Sequence, residues 1–499
     1  MAVSTQVQNG GIVTLTDAGV AQVSGYHNLW NEDLRPCTRA EHTWPASKYA
    51  ALWVGMCLCL PTYSLASGMI ALGMNWWESV LTILLGNCIV LVPILLVSHA
   101  GTKYGIPYPV FARLWFGTRG AHLPALARAV IAAGWFGINA WFGGQAVDAI
   151  LGRVVPGWGG VGIHLPLAFV IFWAINVLIA TRGPQAIGRL AVVAAPTLAV
   201  CAIALFVWAL IRAGGFGPML ATPAQIHGAH FWVVFYPSVV GVIAFWATLA
   251  LNIPDYTRYA RSQRDQLVGQ TLSMPLTMAV FSFIGIAVTS ATVALYGKPL
   301  WNPVELILKF PAAVIVIAGL VVVLSSVTIN VGANVMAPAR AFENLWPQRI
   351  NFAIGAVMTG LLSLLMQPWY VLSVYSHYIF TWLGTYGAML GPFDGIAIAD
   401  YWLVRHQRLD LVQLYTPGGA YSYGKGVNVR AVYALMVGWG VAVLGLVTPL
   451  HFLWSGGWLF GIAGGLVAYW LLMNRRREES AVRDSATDEG IPAVAKSTT

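Results

Sequence analysis

The sequence predicts an all-α integral membrane protein with twelve transmembrane helices. Of its 499 residues, 58% are hydrophobic and only 9% are charged, and the mean hydropathy is +0.70. Soluble domains carry roughly 25% charged residues, so this chain has too little polar surface for a water-exposed fold. The composition therefore excludes a soluble enzyme, a nucleic-acid-binding protein, a disordered chain and a disulfide-rich scaffold.

Stretches without charged residues predict where the helices lie, because about 20 residues cross the hydrocarbon core. Eight stretches fit one crossing each: 49–77, 79–102, 129–147, 154–181, 190–211, 213–254, 266–297 and 310–339. Two longer stretches, 350–393 and 431–474, fit two crossings each, because Gln367-Pro368 and Thr448-Pro449 provide turns. These stretches give the twelve helices.

The positions of Lys and Arg predict the orientation. If the N-terminus is cytoplasmic, the outer loops hold few cations and the inner loops hold most of them. Both termini are then cytoplasmic, and the protein is a multi-pass protein of the plasma (inner) membrane. We predict a cytoplasmic segment at 1–48, a transmembrane domain at 49–474 and a cytoplasmic disordered tail at 475–499. The positive net charge then contacts anionic lipid rather than nucleic acid.

Glycine and proline interrupt two of the predicted helices. The first helix contains Gly55, Pro61 and Gly68, and the sixth contains Gly241 and Pro254. Paired interruptions at matching positions of two halves are typical of inverted-repeat transporters. Unwound backbone at membrane depth is tolerated only where it lines a site. Simple kinks or close helix packing remain the alternative.

The polar side chains of the middle helices suggest a binding site for a small planar ring. They are Trp135 and Asn139 in the third helix, Trp246 in the sixth, and Asn330 and Asn334 in the eighth. The first, sixth and eighth helices hold no carboxylate, and burying an unpaired ion is prohibitive, so we expect a neutral ligand. Amides both donate and accept hydrogen bonds, as an NH–C=O edge requires. Alternatively, each Trp faces lipid and each Asn joins two helices.

Six ordered motifs carry a resemblance to a known family. They are NEDLRP (31–36), PTYSLASG (61–68), HAGTKYGIPYPVFAR (99–113), GWFGINAWFGGQ (134–145), FWATLALNIPDYTRYAR (245–261) and ANVMAPA (333–339). Together they resemble the nucleobase:cation symporter-1 family, and the chain is most similar to its bacterial hydantoin and allantoin permeases. The resemblance extends over nearly the whole chain.

The resemblance implies a LeuT-like fold, with two inverted repeats of five helices followed by two C-terminal helices. It also implies uptake by alternating access. Trp135 and Trp246 match the family residues that stack on the two faces of the substrate ring. Asn139 and Asn334 match residues that bind its edges. Cys59 lies near the break of the first helix, where the family usually has an amide side chain.

The resemblance further implies a sodium site. Its ligands would be the carbonyls of Gly55 and Leu58 together with oxygens of Ser325 and Thr328. Ile329 stands where the sodium-dependent hydantoin permease has a hydroxyl residue. Because a hard cation prefers oxygen ligands, sodium and proton both remain open as the coupling cation. No cofactor is expected.

The predicted function is symport of a neutral planar nitrogen heterocycle, namely allantoin, a hydantoin or a nucleobase, by a monomeric protein in a lipid bilayer. An uncoupled facilitator or channel for small neutral solutes is the alternative. An enzyme is not expected, because the helices hold no metal-ligand spacing or nucleophile motif and the loops are too short for a catalytic domain.

Overall fold

The structure is a computed structural model that describes residues 5–182, 188–346 and 349–488. Within these ranges, eight helices are long and apolar enough to cross a membrane, and a further span consists of two helices joined at a bend. Two shorter apolar helices and one helix with π-helical turns bring the number to twelve, which is consistent with the predicted count. The all-α membrane fold is therefore confirmed.

The spans are numbered here in chain order, and several contain more than one helical segment. They are Ala46–Cys57 with Leu60–Ala71; Trp76–Tyr104; His122–Val154; His164–Ala180; Gly188–Ala213; Gly228–Phe245 with Ala247–Asn252; Gln263–Tyr296; Ala312–Ile329 with Asn330–Val335 and Met336–Leu345; Phe352–Leu365; His377–Leu383 with Gly384–Ile398 and Ala399–Val404; Val429–Val447; and Gly457–Asp488.

Shorter elements lie before and between the spans. They are the paired strands Gln6–Asn9 and Ile12–Leu15, and the helices Asp17–Val23, Arg39–Glu41, Tyr108–Phe116, Trp158–Gly160, Phe216–Met219, Pro254–Thr257, Pro303–Ile307, Pro368–Val371, Leu411–Tyr415 and His451–Ser455.

The first and sixth spans are broken near their middles. The first bends by 61° between its two halves, where Leu58 (φ −78°, ψ 77°) and Cys59 leave the helical conformation. The sixth is interrupted at Trp246, which lies between Gly241 and Pro254. Glycine and proline therefore flank the breaks, but other residues form them.

Two of the predicted interruptions prove to be close contacts inside regular helix. A side chain at Gly68 would overlap the ring of Tyr375, and one at Gly241 would lie 2.6 Å from Ile379. Both glycines therefore let the broken spans closely approach the start of the tenth span and the residues just before it. This outcome matches the packing alternative for these two positions.

The N-terminal segment is hydrogen-bonded to a residue that follows the sixth span. The Arg258 guanidinium donates to the carbonyls of Asp33 (3.0 Å) and Arg35 (2.6 Å). Arg35 in turn binds the Glu41 carboxylate at 2.8 Å, and this hydrogen bond lowers the pKa of Glu41 to about 2. The motif at 31–36 thus joins the segment to the end of the transmembrane bundle.

The last candidate span ends at Asn474, and the helix Gly457–Asp488 continues through residues 475–488. They are rich in Arg, Glu and Ala, which favour helix. Residues 489–499 lie outside the described residues, and the extent of a cytoplasmic tail stays a prediction.

Candidate functional site

A cavity of about 440 Å³ lies among the first, third, sixth and eighth spans. The structure brings all nine predicted site residues to its wall: Gly55, Leu58, Cys59, Trp135, Asn139, Trp246, Ser325, Thr328 and Asn334. The two helix breaks contribute Leu58, Cys59 and Trp246, so irregular backbone does line a cavity here.

The indole of Trp135 is held by a group of aromatic rings. It makes edge-to-face contacts with Phe245 at 5.1 Å and with Tyr378, Trp382 and Tyr386 of the tenth span at 6.2–6.3 Å between ring centroids. Such contacts fix the plane of an aromatic ring. Because Trp135 also lines the cavity, it offers a ligand a rigid aromatic surface.

The indole of Trp246 is fixed in a different way. Its Nε1 donates a 2.9 Å hydrogen bond to Asn87 Oδ1 of the second span, and its ring meets Trp53 edge to face at 5.1 Å. Phe245 contacts Trp246 at 5.0 Å and also contacts Trp135. Phe245 therefore helps set the separation between the two indoles that face the cavity.

Two asparagines line the cavity. Asn139 Nδ2 donates to the Trp135 carbonyl at 3.1 Å, and Asn139 Oδ1 is buried with no partner among the described residues. Asn334 Nδ2 donates to Asn330 Oδ1 at 2.9 Å, and Asn330 Nδ2 donates to the Phe136 carbonyl at 3.0 Å. This network assigns the orientation of the Asn334 amide. Both oxygens can accept from N–H groups of a ligand.

Cys59 begins the second half of the first span. Its Sγ lies 3.1 Å from Thr62 Oγ1, and its side chain is 6% exposed. Sulfur is a weak hydrogen-bond acceptor, so Cys59 offers a ligand less than the usual amide would. Cys59 nevertheless lines the cavity, because it lies at the break of the first span.

The break also frees a backbone carbonyl in the candidate cation site. The amide of Cys59 donates to the Cys57 carbonyl at 3.0 Å, and the Gly55 carbonyl therefore loses the helical donor four residues ahead. On the eighth span, Thr328 Oγ1 donates to the carbonyls of Leu324 and Ser325. This back-bonding is common for Thr in membrane helices, and it leaves the hydroxyl oxygen able to accept but not to donate.

Sequence reasoning missed Arg128, which also lines the cavity. Its Nε and Nη1 are buried with no partner among the described residues. With the Asn252 amide oriented to donate to the Thr248 carbonyl at 2.6 Å, its oxygen accepts from Arg128 Nη2 at 3.2 Å. Arg128 precedes Trp135 by seven residues, so the two lie on one face, about 10 Å apart along the helix axis. The seven-residue spacing from Trp135 was the sequence signal that could have identified Arg128.

Broken first and sixth spans around a cavity lined by aromatic and amide side chains define a membrane transport protein with a LeuT-like fold. More particularly, the chain belongs to the nucleobase:cation symporter-1 family. Residues 36–472 match the family described as "Permease for cytosine/purines, uracil, thiamine, allantoin". The family resemblance noted from the six motifs is thereby confirmed.

Relatives with similar sequences cover most of the chain. The purine-uracil permease NCS1 of Arabidopsis thaliana is 38% identical over 497 residues, which are 95% of this chain and 82% of the relative. The allantoin permease of Bacillus subtilis is 37% identical over 460 residues, with 90% and 94% covered. The inward-facing conformation of Mhp1 superposes with a TM-score of 0.78 at 26% identity, covering 90% and 95%.

Proposed function

We propose that this permease is a symporter that imports a neutral planar nitrogen heterocycle: allantoin, a hydantoin or a nucleobase. The observation that carries the proposal is the convergence of Trp135, Trp246, Asn139 and Asn334 on one cavity. Two fixed indoles suit the faces of a ring, and two amide oxygens suit its N–H edges. The purine-uracil and allantoin permeases among the relatives support the same ligand class.

A neutral ligand is supported by the charges around the cavity. The only cation in its wall, within the described residues, is Arg128, which lies in electrostatic range of the Asp255 carboxylate. The wall around the two indoles carries no ionic side chain in the described part of the chain. No carboxylate lies in the wall within the described residues, so a cationic ring would lose its hydration without gaining a counter-charge.

Transport by purified protein in liposomes tests this proposal against the uncoupled alternative. The panel is labelled hydantoin, allantoin, uracil and cytosine, with imposed sodium, proton or electrical gradients. One monovalent cation that moves down about 100 mV supplies roughly 2.3 kcal/mol, or about fifty-fold accumulation. A symporter accumulates one of these rings above the outside concentration, whereas a facilitator only equilibrates it.

We expect any sodium dependence of substrate binding to be weak. The candidate ligands are the Gly55 and Leu58 carbonyls with Ser325 and Thr328, all neutral dipoles, and Ile329 contributes no side-chain oxygen. Thr328→Ala should abolish the dependence. Substrate affinity is measured with sodium replaced by choline at constant pH, and Ser326→Ala is the matched control because Ser326 is buried outside the cavity-lining set. Strong sodium dependence that survives Thr328→Ala would contradict this assignment.

We further propose that the protein is a monomer in the inner (plasma) membrane with both termini in the cytoplasm. A reporter active only in the cytoplasm should give signal when fused after Arg477. The same reporter fused between Lys298 and Lys309 should give none, because that loop lies an odd number of spans earlier. The opposite pattern would show that the orientation is reversed.

A further inference from the structure

The buried carboxyl groups of the molecule differ in whether they have partners. Within the described residues, four carboxyl side chains are buried: Glu78, Asp265, Asp394 and Asp400. Three have hydrogen-bond or ionic partners: Glu78 with the amide of Asn75, Asp265 with Arg261 and Ser262, and Asp400 with Arg405 and Tyr469. Asp394, whose side chain is 0% exposed, has no ionic partner there, and the indole N–H of Trp458 is the polar group beside its carboxyl.

Asp394 lies in a tightly packed part of the tenth span. Side chains at Gly391 and Gly395 would overlap the backbone of Trp458 and Ile462 in the twelfth span, so these helices exclude water between them. An ionised carboxyl without a partner is prohibitively costly in such a place. The arrangement therefore accommodates Asp394 in its protonated, neutral form.

A second unpartnered group links Asp394 to the cavity. The Tyr108 hydroxyl is buried without a hydrogen-bond partner among the described residues, and it lies in electrostatic range of Asp394, Arg128 and Asp255. Arg128 lines the cavity. Tyr108 thus lies in electrostatic range of both the buried carboxyl and Arg128 of the cavity wall.

Several other ionisable groups on the helices around Asp394 are engaged with other atoms. Tyr469 donates to Asp400, His99 bonds the hydroxyl of Tyr401, Lys103 donates to the Gln407 carbonyl, Tyr386 donates to the Ala244 carbonyl, and Asp255 accepts from the Tyr108 amide. Trp458, from the twelfth span, does not titrate. Tyr108 is therefore the unpartnered ionisable group that lies in electrostatic range of Asp394 within the described residues.

We propose that Asp394 is the proton-binding site that couples transport to the proton gradient. This inference rests on the proposed symport function and names its coupling ion. A proton from the outer solution binds a carboxylate oxygen, and it is released to the inner solution with the substrate, which is chemically unchanged. When the proton leaves, the Asp394 carboxylate is charged and no cation pairs with it in this conformation. Deprotonation therefore favours a different conformation of the tenth span.

Uptake into sodium-free liposomes tests the proposal, with uracil or allantoin as the probe that the wild type transports. A gradient of one pH unit, acid outside, can drive about tenfold accumulation for one proton per substrate. Asp394→Asn should lose this accumulation and keep exchange of labelled for unlabelled substrate. Asp148→Asn is the matched control, because Asp148 accepts hydrogen bonds from Trp158 and His164, and it should accumulate like the wild type.

Three outcomes would overturn the proposal. In the first, Asp394→Asn still accumulates substrate on the pH gradient. In the second, the wild type exchanges substrate but does not accumulate it on that gradient. In the third, an internal pH dye shows no acidification as the wild type takes up substrate, a result that requires no variant to fold. If the wild type exchanges no ring of the panel, the proposed function itself fails.

Discussion

Trp135→Ala and Trp246→Ala should each weaken substrate binding by about 5- to 150-fold. Stacking of a base-like ring on an aromatic side chain contributes roughly 1–3 kcal/mol by alanine substitution, and about 1.4 kcal/mol corresponds to tenfold in affinity. Each indole is already fixed by neighbours, so little ordering cost offsets the contact. Equilibrium binding of labelled substrate to the purified variants measures the effect.

Two further variants separate stacking from structural damage. Trp246→Phe keeps an aromatic face and loses only the hydrogen bond to Asn87, so it should retain most of the affinity. Trp232→Ala removes an indole that is 63% exposed and lies outside the cavity, so it should bind like the wild type. A folded Trp135→Ala or Trp246→Ala variant with unchanged affinity would rule out stacking on both faces.

The fold could be predicted from the sequence because the hydrocarbon core of a bilayer restricts which residues a membrane-spanning helix can contain. Every span needs a long apolar stretch, and such stretches can be read directly along the chain. Helical spacing also relates two site residues, because Trp135 and Asn139 are four residues apart and therefore share a helix face. The family resemblance then related these faces to one another.

The partners of the site residues could not be predicted, because they depend on contacts between distant spans. Asn87 is 159 residues from Trp246, and nothing in the local sequence pairs them. The same limit applies to Asp394, which directly follows the predicted stretch 350–393. That it is buried without an ionic partner became visible only from the packing of the tenth and twelfth spans.

Arg128 was missed for a different reason. Charge-free stretches end at charged residues, so that criterion started the third helix at Ala129. The helix actually begins at His122, which puts Arg128 inside the span and in the cavity wall. A boundary criterion based on charged residues therefore predicts too short a helix wherever a charged residue lies inside the span and lines the site. The glycine and proline criterion was similarly imprecise about the helix breaks, because Gly and Pro flank the breaks at Cys59 and Trp246.

Asn139→Leu and Asn334→Leu should each cost about 1–3 kcal/mol of binding for a ring with free N–H groups, or about 5- to 150-fold in affinity. Each amide nitrogen is already used by a neighbouring carbonyl or amide oxygen, so the amide oxygens are the groups left to accept from the ring. Leucine has similar volume and cannot accept, so the ring would keep a buried, unpaired donor.

Comparing each variant with N-methylated rings identifies which N–H each oxygen binds. Methylation of the bound nitrogen should weaken wild-type binding strongly, and the same methylation should cost much less in the variant that has already lost the acceptor. Asn176→Leu is the matched control, because Asn176 is fully buried, has no hydrogen-bond partner among the described residues and lies outside the cavity wall. Equal methylation penalties in the wild type and both variants would mean that neither amide accepts from the ring. Selectivity among rings would then depend on the shape between Trp135 and Trp246 alone.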